Sequence, residues 1–382
     1  MRRALKLIQL AITTGVASFS LSSFANPPEH SYTCAPTEQM KAKAQGYVTI
    51  RFVGDIVLGN SHIVENIPTE WEKTYFSGVD EYLRSANLSI GNLEGALTNQ
   101  TRTSKDTSTG RSFAFRFPPH YAELLRKQGF LALHVANNHS NDFGDSGYSD
   151  TLEALKSTDI EAVGVKGKIS YLNINGIKIA ILGFGYYPRQ DMIQDLNHVR
   201  YLISKAKEEA KFVIATFHAG AEGSNAIWHS NQSELFMGED RGNSVAFARA
   251  AIESGADTVV GHGPHVLRAI ECYKGKPIFY SLGNFVGVGG LSNRGLTALS
   301  AIAGIRLNAA AEIKGIEFAS VLINEKKIPQ IDDRDFSAHL TNFIGENSRY
   351  PGTFIKVPAN ASTAKEFDAW ARPLMQQSAQ SK

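Results

Sequence analysis

Carboxylates, amides and imidazoles set at the ends of apolar runs are the groups that hold a divalent cation, and this chain repeats that arrangement. Phe52-Val53-Gly54-Asp55, Ile90-Gly91-Asn92-Leu93-Glu94 and Val259-Val260-Gly261-His262-Gly263-Pro264-His265 each end a hydrophobic stretch in such groups. The run Ala136-Asn137-Asn138-His139-Ser140-Asn141-Asp142-Phe143-Gly144 does so directly after Phe130 to Val135, and His218 closes Phe212 to Phe217. Strands that end this way aim their ligands into one cleft at their carboxyl ends. Asp55, Glu94, Asn138, His218, His262 and His265 are therefore the candidate metal ligands, with Gly54 and Gly261 expected to let the backbone turn sharply. Mixed oxygen and nitrogen ligands accommodate one or two divalent ions of manganese, iron or zinc.

Taken singly, each residue has an ordinary explanation: Asp55 a helix cap, Glu94 a solvated loop charge, Asn138 a turn residue. Their joint occurrence at strand ends is what points to a site. His30, His62, His120, His198 and His339 lack that setting and are read as structural or solvated, as are His134 and His229. Arg116 or Arg294 would hold an anionic group through a fork of donors, with a surface charge as the alternative for each.

The elements that must position these residues alternate. Strand-like runs cover Tyr47 to Val53, Ala86 to Asn92, Phe130 to Val135, Ile177 to Phe184, Phe212 to Phe217 and Thr258 to Val260. Helical patterns cover Pro119 to Gln128, Ser149 to Ser157, Ile193 to Ala210 and Asn243 to Ser254, the first and last followed by Gly129 and Gly255. Arg268 to Cys272 and Pro277 to Ser281 flank a hairpin turn, and Ala301 to Leu307 with Gly315 to Ile323 read as a closing meander. Alternation of this kind makes an α/β layered domain.

At the start, Arg2, Arg3 and Lys6 precede an apolar stretch from Leu7 to about Leu21, and Ser23-Phe24-Ala25 supplies a small-x-small site. Residues 1–25 are expected to be a cleaved signal peptide, leaving no stable membrane span and a periplasmic or extracellular protein. An uncleaved anchor is the alternative, against which stand the short stretch and its Gln9, Thr13 and Thr14. Cleavage removes three basic residues and moves the formal charge from +2 to about −1. No basic stripe remains, so nucleic acid is excluded as a partner. Cys34 and Cys272 can form a disulfide in an oxidising compartment; two buried thiols that never meet are the alternative. Residues 26–45 read as a polar arm, 46–335 as the domain, and 336–382 as a partly disordered extension.

On the motifs above, together with Asn92 to Thr98, Phe115-Arg116-Phe117-Pro118-Pro119, His218-Ala219-Gly220-Ala221-Glu222 and Tyr280-Ser281-Leu282-Gly283-Asn284-Phe285, the sequence resembles the CapA family of capsule and poly-γ-glutamate synthesis proteins. That family is a branch of the calcineurin-like metallophosphoesterase superfamily. The resemblance runs from about Tyr47 to Phe285 and implies a four-layer αββα sandwich of the metallo-dependent phosphatase type. It implies that Asp55 and His265 serve a first metal, Glu94 bridges, and Asn138, His218 and His262 complete a second. It also implies that His139 is a catalytic acid positioned by Asp142.

Three departures from the wider superfamily stand out. Asp55 is followed by Ile56 and Val57 in place of Asp-x-His, the bridging residue is Glu94 in place of Asp, and Asp142 comes three positions after His139 in place of one. Two functions follow as expectations. One is an exported metal-dependent hydrolase acting on a phosphoester or on an anionic envelope polymer such as poly-γ-glutamate. The other is a non-catalytic assembly or export component working with capsule-assembly proteins.

Overall fold

The centre of the molecule is the ten-residue strand β1 (Val48–Val57), every residue of which is buried. The computed structural model describes residues 33–41, 46–59, 74–107, 112–288 and 290–380. The leader assigned to residues 1–25 lies outside the described residues, as do 26–32 and 42–45 of the arm. The further strands that frame the site are β2 (Leu88–Leu93), β3 (Phe130–His134), β4 (Ile177–Phe184), β5 (Phe212–His218), β6 (Thr258–His262), β7 (Lys276–Phe279), β8 (Asn284–Gly287), β9 (Leu299–Leu307) and β10 (Ile313–Ile323).

The chain is a mixed α/β protein with two main sheets. The first runs Thr37–Gln39, β10, β9, β1, β2, β3, Glu161–Val163, with β8 also paired to β1. The second runs Ile270–Tyr273, β7, β6, β5, β4, Ser170–Ile174. β1, β2 and β3 are mutually parallel, as are β4, β5, β6 and β7. β9 and β10 form the antiparallel meander, and Ile270–Tyr273 pairs with β7 across a two-residue Lys274-Gly275 turn in which both residues have positive φ, as a tight hairpin requires.

Period-2 alternation explains how β1 serves two sides of its sheet. Ile50 and Phe52 enter an apolar cluster with Ile90 and Ala132 of the first sheet and Ile179, Ile214, Val260 and Phe279 of the second. Val53 points the other way, into a cluster with Leu83, Leu125 and Leu155, and Ile56 enters the same cluster because the ladder shifts register between Phe52 and Asp55. A third cluster joins Ala180, Val213 and Val259 to Val199, Ile203, Phe247 and Ala251 of the helices Leu196–Glu209 and Ser244–Glu253. Those helices start at Asp195 and Asn243, whose side chains accept from the backbone N–H groups of His198 and Ala246.

Several elements differ from the sequence reading. The helix expected from Ser149 begins at Gly144, directly after the His139–Asp142 segment. Ser170–Ile174, Glu161–Val163 and Thr37–Gln39 are short edge strands with no strong alternation. Beyond Asp335 the chain forms the helices Phe336–Glu346 and Ala364–Gln380. Gly54 and Gly261 lie inside strands and make no turn. A Cβ on Gly54 would stand 1.9 Å from the carbonyl oxygen of Gly283, and one on Gly261 2.3 Å from that of Tyr280, so close backbone approach is what demands glycine at both. Among the described residues no helix is long and apolar enough to cross a membrane.

Cys34 and Cys272 form a disulfide, with Cα atoms 5.8 Å apart. It ties the N-terminal segment to the outer strand of the second sheet, whose Cys272 N–H also donates to Thr353 O at 2.7 Å, while Ile355 N–H donates to Ile270 O at 2.8 Å. A bridge closing so long a loop stabilises by about 2–4 kcal/mol, mainly by restricting the unfolded chain. Cys34→Ser is expected to lower the unfolding free energy by that amount in urea titration; an unchanged midpoint would show that the bridge contributes nothing.

Candidate metal centre

Parallel register brings the strand ends together. Asp55, Asn92 and His134 are partners across β1, β2 and β3, and His218 and His262 are partners across β5 and β6. Between Phe52 and Asp55 the β1–β2 ladder shifts register, and Asp55 N–H donates to Gly283 O at 3.0 Å. This bulge re-aims the end of β1 into the space between the sheets.

Glu94 is the hub. Its Oε1 stands 3.6 Å from His265 Nε2, 3.8 Å from His139 Nε2 and 4.0 Å from His218 Nε2. On the opposite wall Asp55 Oδ2 lies 3.0 Å from His265 Nδ1, and Asp55 Oδ1 lies 3.7 Å from His262 Nδ1. Two amides lock this ring. Asn92 Nδ2 donates to Asp55 Oδ1 at 2.8 Å and stands 3.1 Å from His218 Nδ1. Asn137 Nδ2 donates to Asn92 Oδ1 at 2.9 Å and to Leu93 O at 2.8 Å, and its own Oδ1 accepts from His139 N–H at 3.0 Å.

His139 stacks at 4.2 Å on Phe115, and its Nδ1 is 2.7 Å from Asp142 Oδ2. That carboxylate also accepts from Phe115 N–H at 2.7 Å, and Lys105 Nζ stands 2.6 Å from its Oδ1. The segment after β6 bends back through His265, whose φ of 59° is unusual for a residue other than glycine and marks a position held by its surroundings.

Burial dominates the electrostatics. It holds His218 well below the ordinary imidazole range, aided by the neighbouring His265 and His134. It likewise pushes His262 down to about 4 against the opposing pull of Asp55, and His134 to about 3 with help from His262. Burial also lowers His139, with Asp142 opposing and Lys105 assisting. At His265 burial is outweighed by the charge of Glu94 and the hydrogen bond to Asp55, which raise it to about 10. Burial carries Glu94 well above the carboxylate range, although His265 pulls it down.

The donor set fits a divalent cation. Both oxygens of Glu94, Nε2 of His218, both ring nitrogens of His262 and Oδ1 of Asn138 are buried without hydrogen-bond partners. Buried polar atoms are nearly always paired, and of these the oxygens of Glu94 and Nε2 of His218 belong to one close group. The ligand atoms of Asp55, Glu94 and His218 lie within 4.8 Å of one another, and this buried group can hold a metal ion.

Beside the hub is a cleft of about 270 Å³ lined by Phe113, Phe115, His139, Glu222, Phe236 and His265, among others. Neither Arg116 nor Arg294 lines it. Arg116 donates to Gln100 O at 2.8 Å and stacks on Phe143, and Arg294 is exposed. Sequence reasoning passed over the amides Asn92 and Asn137 and the charged Lys105 and Glu222. Asn92, Asn137 and Glu222 sit inside motifs that carried the resemblance, which was the available signal; Lys105, in an irregular loop, gave none.

Residues 49–288 match the model of a family described as bacterial capsule synthesis protein PGA_cap. The chain is 31% identical over 269 residues to the PGA biosynthesis protein CapA of Bacillus subtilis, covering 66% of each chain. It is 30% identical over 268 residues to the capsule biosynthesis protein CapA of Bacillus anthracis, covering 65% of this chain and 61% of that one. The chain thus spans just under two thirds of the length of the curated relatives it matches.

An ion that binds only the folded state stabilises it by about 2.7 kcal/mol at a hundredfold excess over its dissociation constant. Adding manganese to chelator-treated protein is therefore expected to raise the melting temperature by several degrees, and Glu94→Gln to abolish the rise. An equal rise in the variant, followed by scanning fluorimetry with and without chelator, would remove Glu94 from the ligand set.

Proposed function

From the premise that the chain belongs to the PGA_cap family of bacterial capsule synthesis proteins, we propose that it is an exported metal-dependent hydrolase acting on a phosphoester, or on an amide of an anionic cell-envelope polymer such as poly-γ-glutamate. The observation that carries this reading is the Glu94 carboxylate, fully buried, without a hydrogen-bond partner, and within 4.0 Å of three imidazole nitrogens. Asp55, Glu94 and His218 would hold the cation, with His262, His265 and Asn138 able to complete its shell. Such an ion supplies a bound water of lowered pKa and a Lewis acid for a phosphoryl or carbonyl oxygen.

The chain's own residues supply the rest. Asp142 accepts the Nδ1 proton of His139 and leaves Nε2 facing Glu94 and the cleft, where it exchanges a proton with the leaving oxygen. Phe115 N–H and Lys105 hold Asp142 in place. An anionic substrate in the cleft would raise the basicity of His139 and favour the protonated ring that an acid requires. Phe113, Phe115 and Phe236 wall the cleft on the apolar side.

The three apolar clusters, one between the sheets and one on the outer side of each, support a four-layer αββα arrangement. The Cys34–Cys272 bridge supports export, since such bonds persist in oxidising compartments. A second reading, a non-catalytic assembly component, is favoured by one observation. The position two after Asp55 is Val57, fully buried in an apolar cluster, so no imidazole enters from there.

His139→Ala is expected to cut turnover of phosphoester or γ-glutamyl substrates by about a hundredfold or more while metal content and the folded secondary structure are retained. Full activity in that variant would end the proposed role. A metal-loaded wild type that turns over no member of either substrate class would favour the assembly reading.

A further inference from the structure

We propose that Asn284 is a specificity-determining residue whose Oδ1 accepts a hydrogen bond from an N–H or O–H group of the molecule bound in the cleft; this rests on the reading of the cleft as the substrate site beside the metal centre. Asn284 belongs to the Tyr280 to Phe285 motif and opens β8, where it is the register partner of Asp55 of β1. It has no exposure, yet it lines the cleft together with His139 and His265. A ligand anchored at the centre would lie against this wall.

The amide is held from one end. Nδ2 donates to Ser292 O at 2.9 Å and to Thr297 O at 3.3 Å. Both partners are carbonyls, which only accept, so chemistry fixes the nitrogen at that end of the amide and the oxygen at the other. Thr297 Oγ1 stands 2.9 Å from both Ser292 Oγ and Arg294 O, which closes the 292–297 turn and holds the two carbonyls in place. Oδ1 is left buried and without a hydrogen-bond partner. Among the described residues that line the cleft, no other carries a buried polar atom in that state.

A buried acceptor left unpaired costs free energy that a donor on the ligand recovers. What it selects follows from its lone pairs. An unprotonated phosphoryl or carboxylate oxygen would meet it acceptor against acceptor, whereas an N–H or O–H completes it. A site built to hydrogen-bond such a group rejects the analogue lacking it far more strongly than an apolar pocket rejects a missing methylene.

Calorimetric titration of the manganese-loaded full chain with two matched pairs of phosphonates tests this; none of the four carries a hydrolysable ester. Acetamidomethylphosphonate and 3-oxobutylphosphonate differ by an N–H in place of a methylene, and 2-hydroxyethylphosphonate and propylphosphonate by a hydroxyl in place of a methyl. The wild type is expected to bind the donor-bearing member of at least one pair about tenfold more tightly, and the pair concerned identifies the donor. Asn284→Leu is expected to reduce that preference to about twofold or less, and Asn284→Asp, which keeps an acceptor oxygen and loses the Nδ2 donor, to retain it. A merely structural role, in which Nδ2 only ties down the 292–297 turn, would lower the melting temperature of both variants and leave the preference intact in both, overturning the proposal. Equal binding within both pairs by the wild type would also overturn it and leave the metal centre standing. Bound manganese with no binding of any phosphonate would overturn both the proposal and the reading of the cleft.

Discussion

A carboxylate with no exposure and no hydrogen-bond donor is the constraint around which this molecule is organised. Removing an ionised carboxylate from water costs several kcal/mol even after relaxation, and nothing in the protein's hydrogen bonding offsets it at Glu94. Without a cation, burial drives the group toward its protonated form; a bound cation would let it stay ionised. In the protein alone the nearby imidazoles respond in opposite directions, His265 becoming more basic beside Glu94 and His218 much less so as it is buried. A cation bound between them would resolve both, because it would neutralise the carboxylates and take imidazoles in their neutral form.

The fold can be read as the means of assembling that hub. Parallel strands deliver their last residues to one edge, and register alone aligns Asp55 with Asn92 and His218 with His262. Two amides then turn aligned residues into a rigid ring, since Asn92 reaches Asp55 and His218 while Asn137 reaches Asn92. Glycines at 54 and 261 let backbones from neighbouring segments approach closely enough for the strands to converge. At the far edge of the second sheet, the disulfide and the backbone pairing of Cys272 and Ile355 secure the strand that flanks β7.

Much of this is legible in the sequence because buried parallel strands are continuous apolar runs and their ends are abrupt changes to polar residues. Asp55, Glu94, His218, His262 and His265 all carry that mark, and the structure gathers them. Asn92 and Asn137 carry it as well, but an amide beside a carboxylate or a second amide does not announce which of the two holds and which is held. Lys105 and Glu222 reach the centre from irregular segments, where periodicity is silent. Arg116 and Arg294 stand away from the cleft lining, and Nη1 of Arg116 donates to the carbonyls of Asn99 and Gln100. The edge strand Ser170–Ile174 is short and half exposed, too weak a pattern to separate from a loop.

The most direct test of the account is anomalous scattering from crystals of the full chain soaked in manganese. A peak about 2.0–2.3 Å from Glu94, shared with Asp55 and His218, is the result it predicts. A well-ordered map with no peak there, and Glu94 hydrogen-bonded only to water, would contradict it.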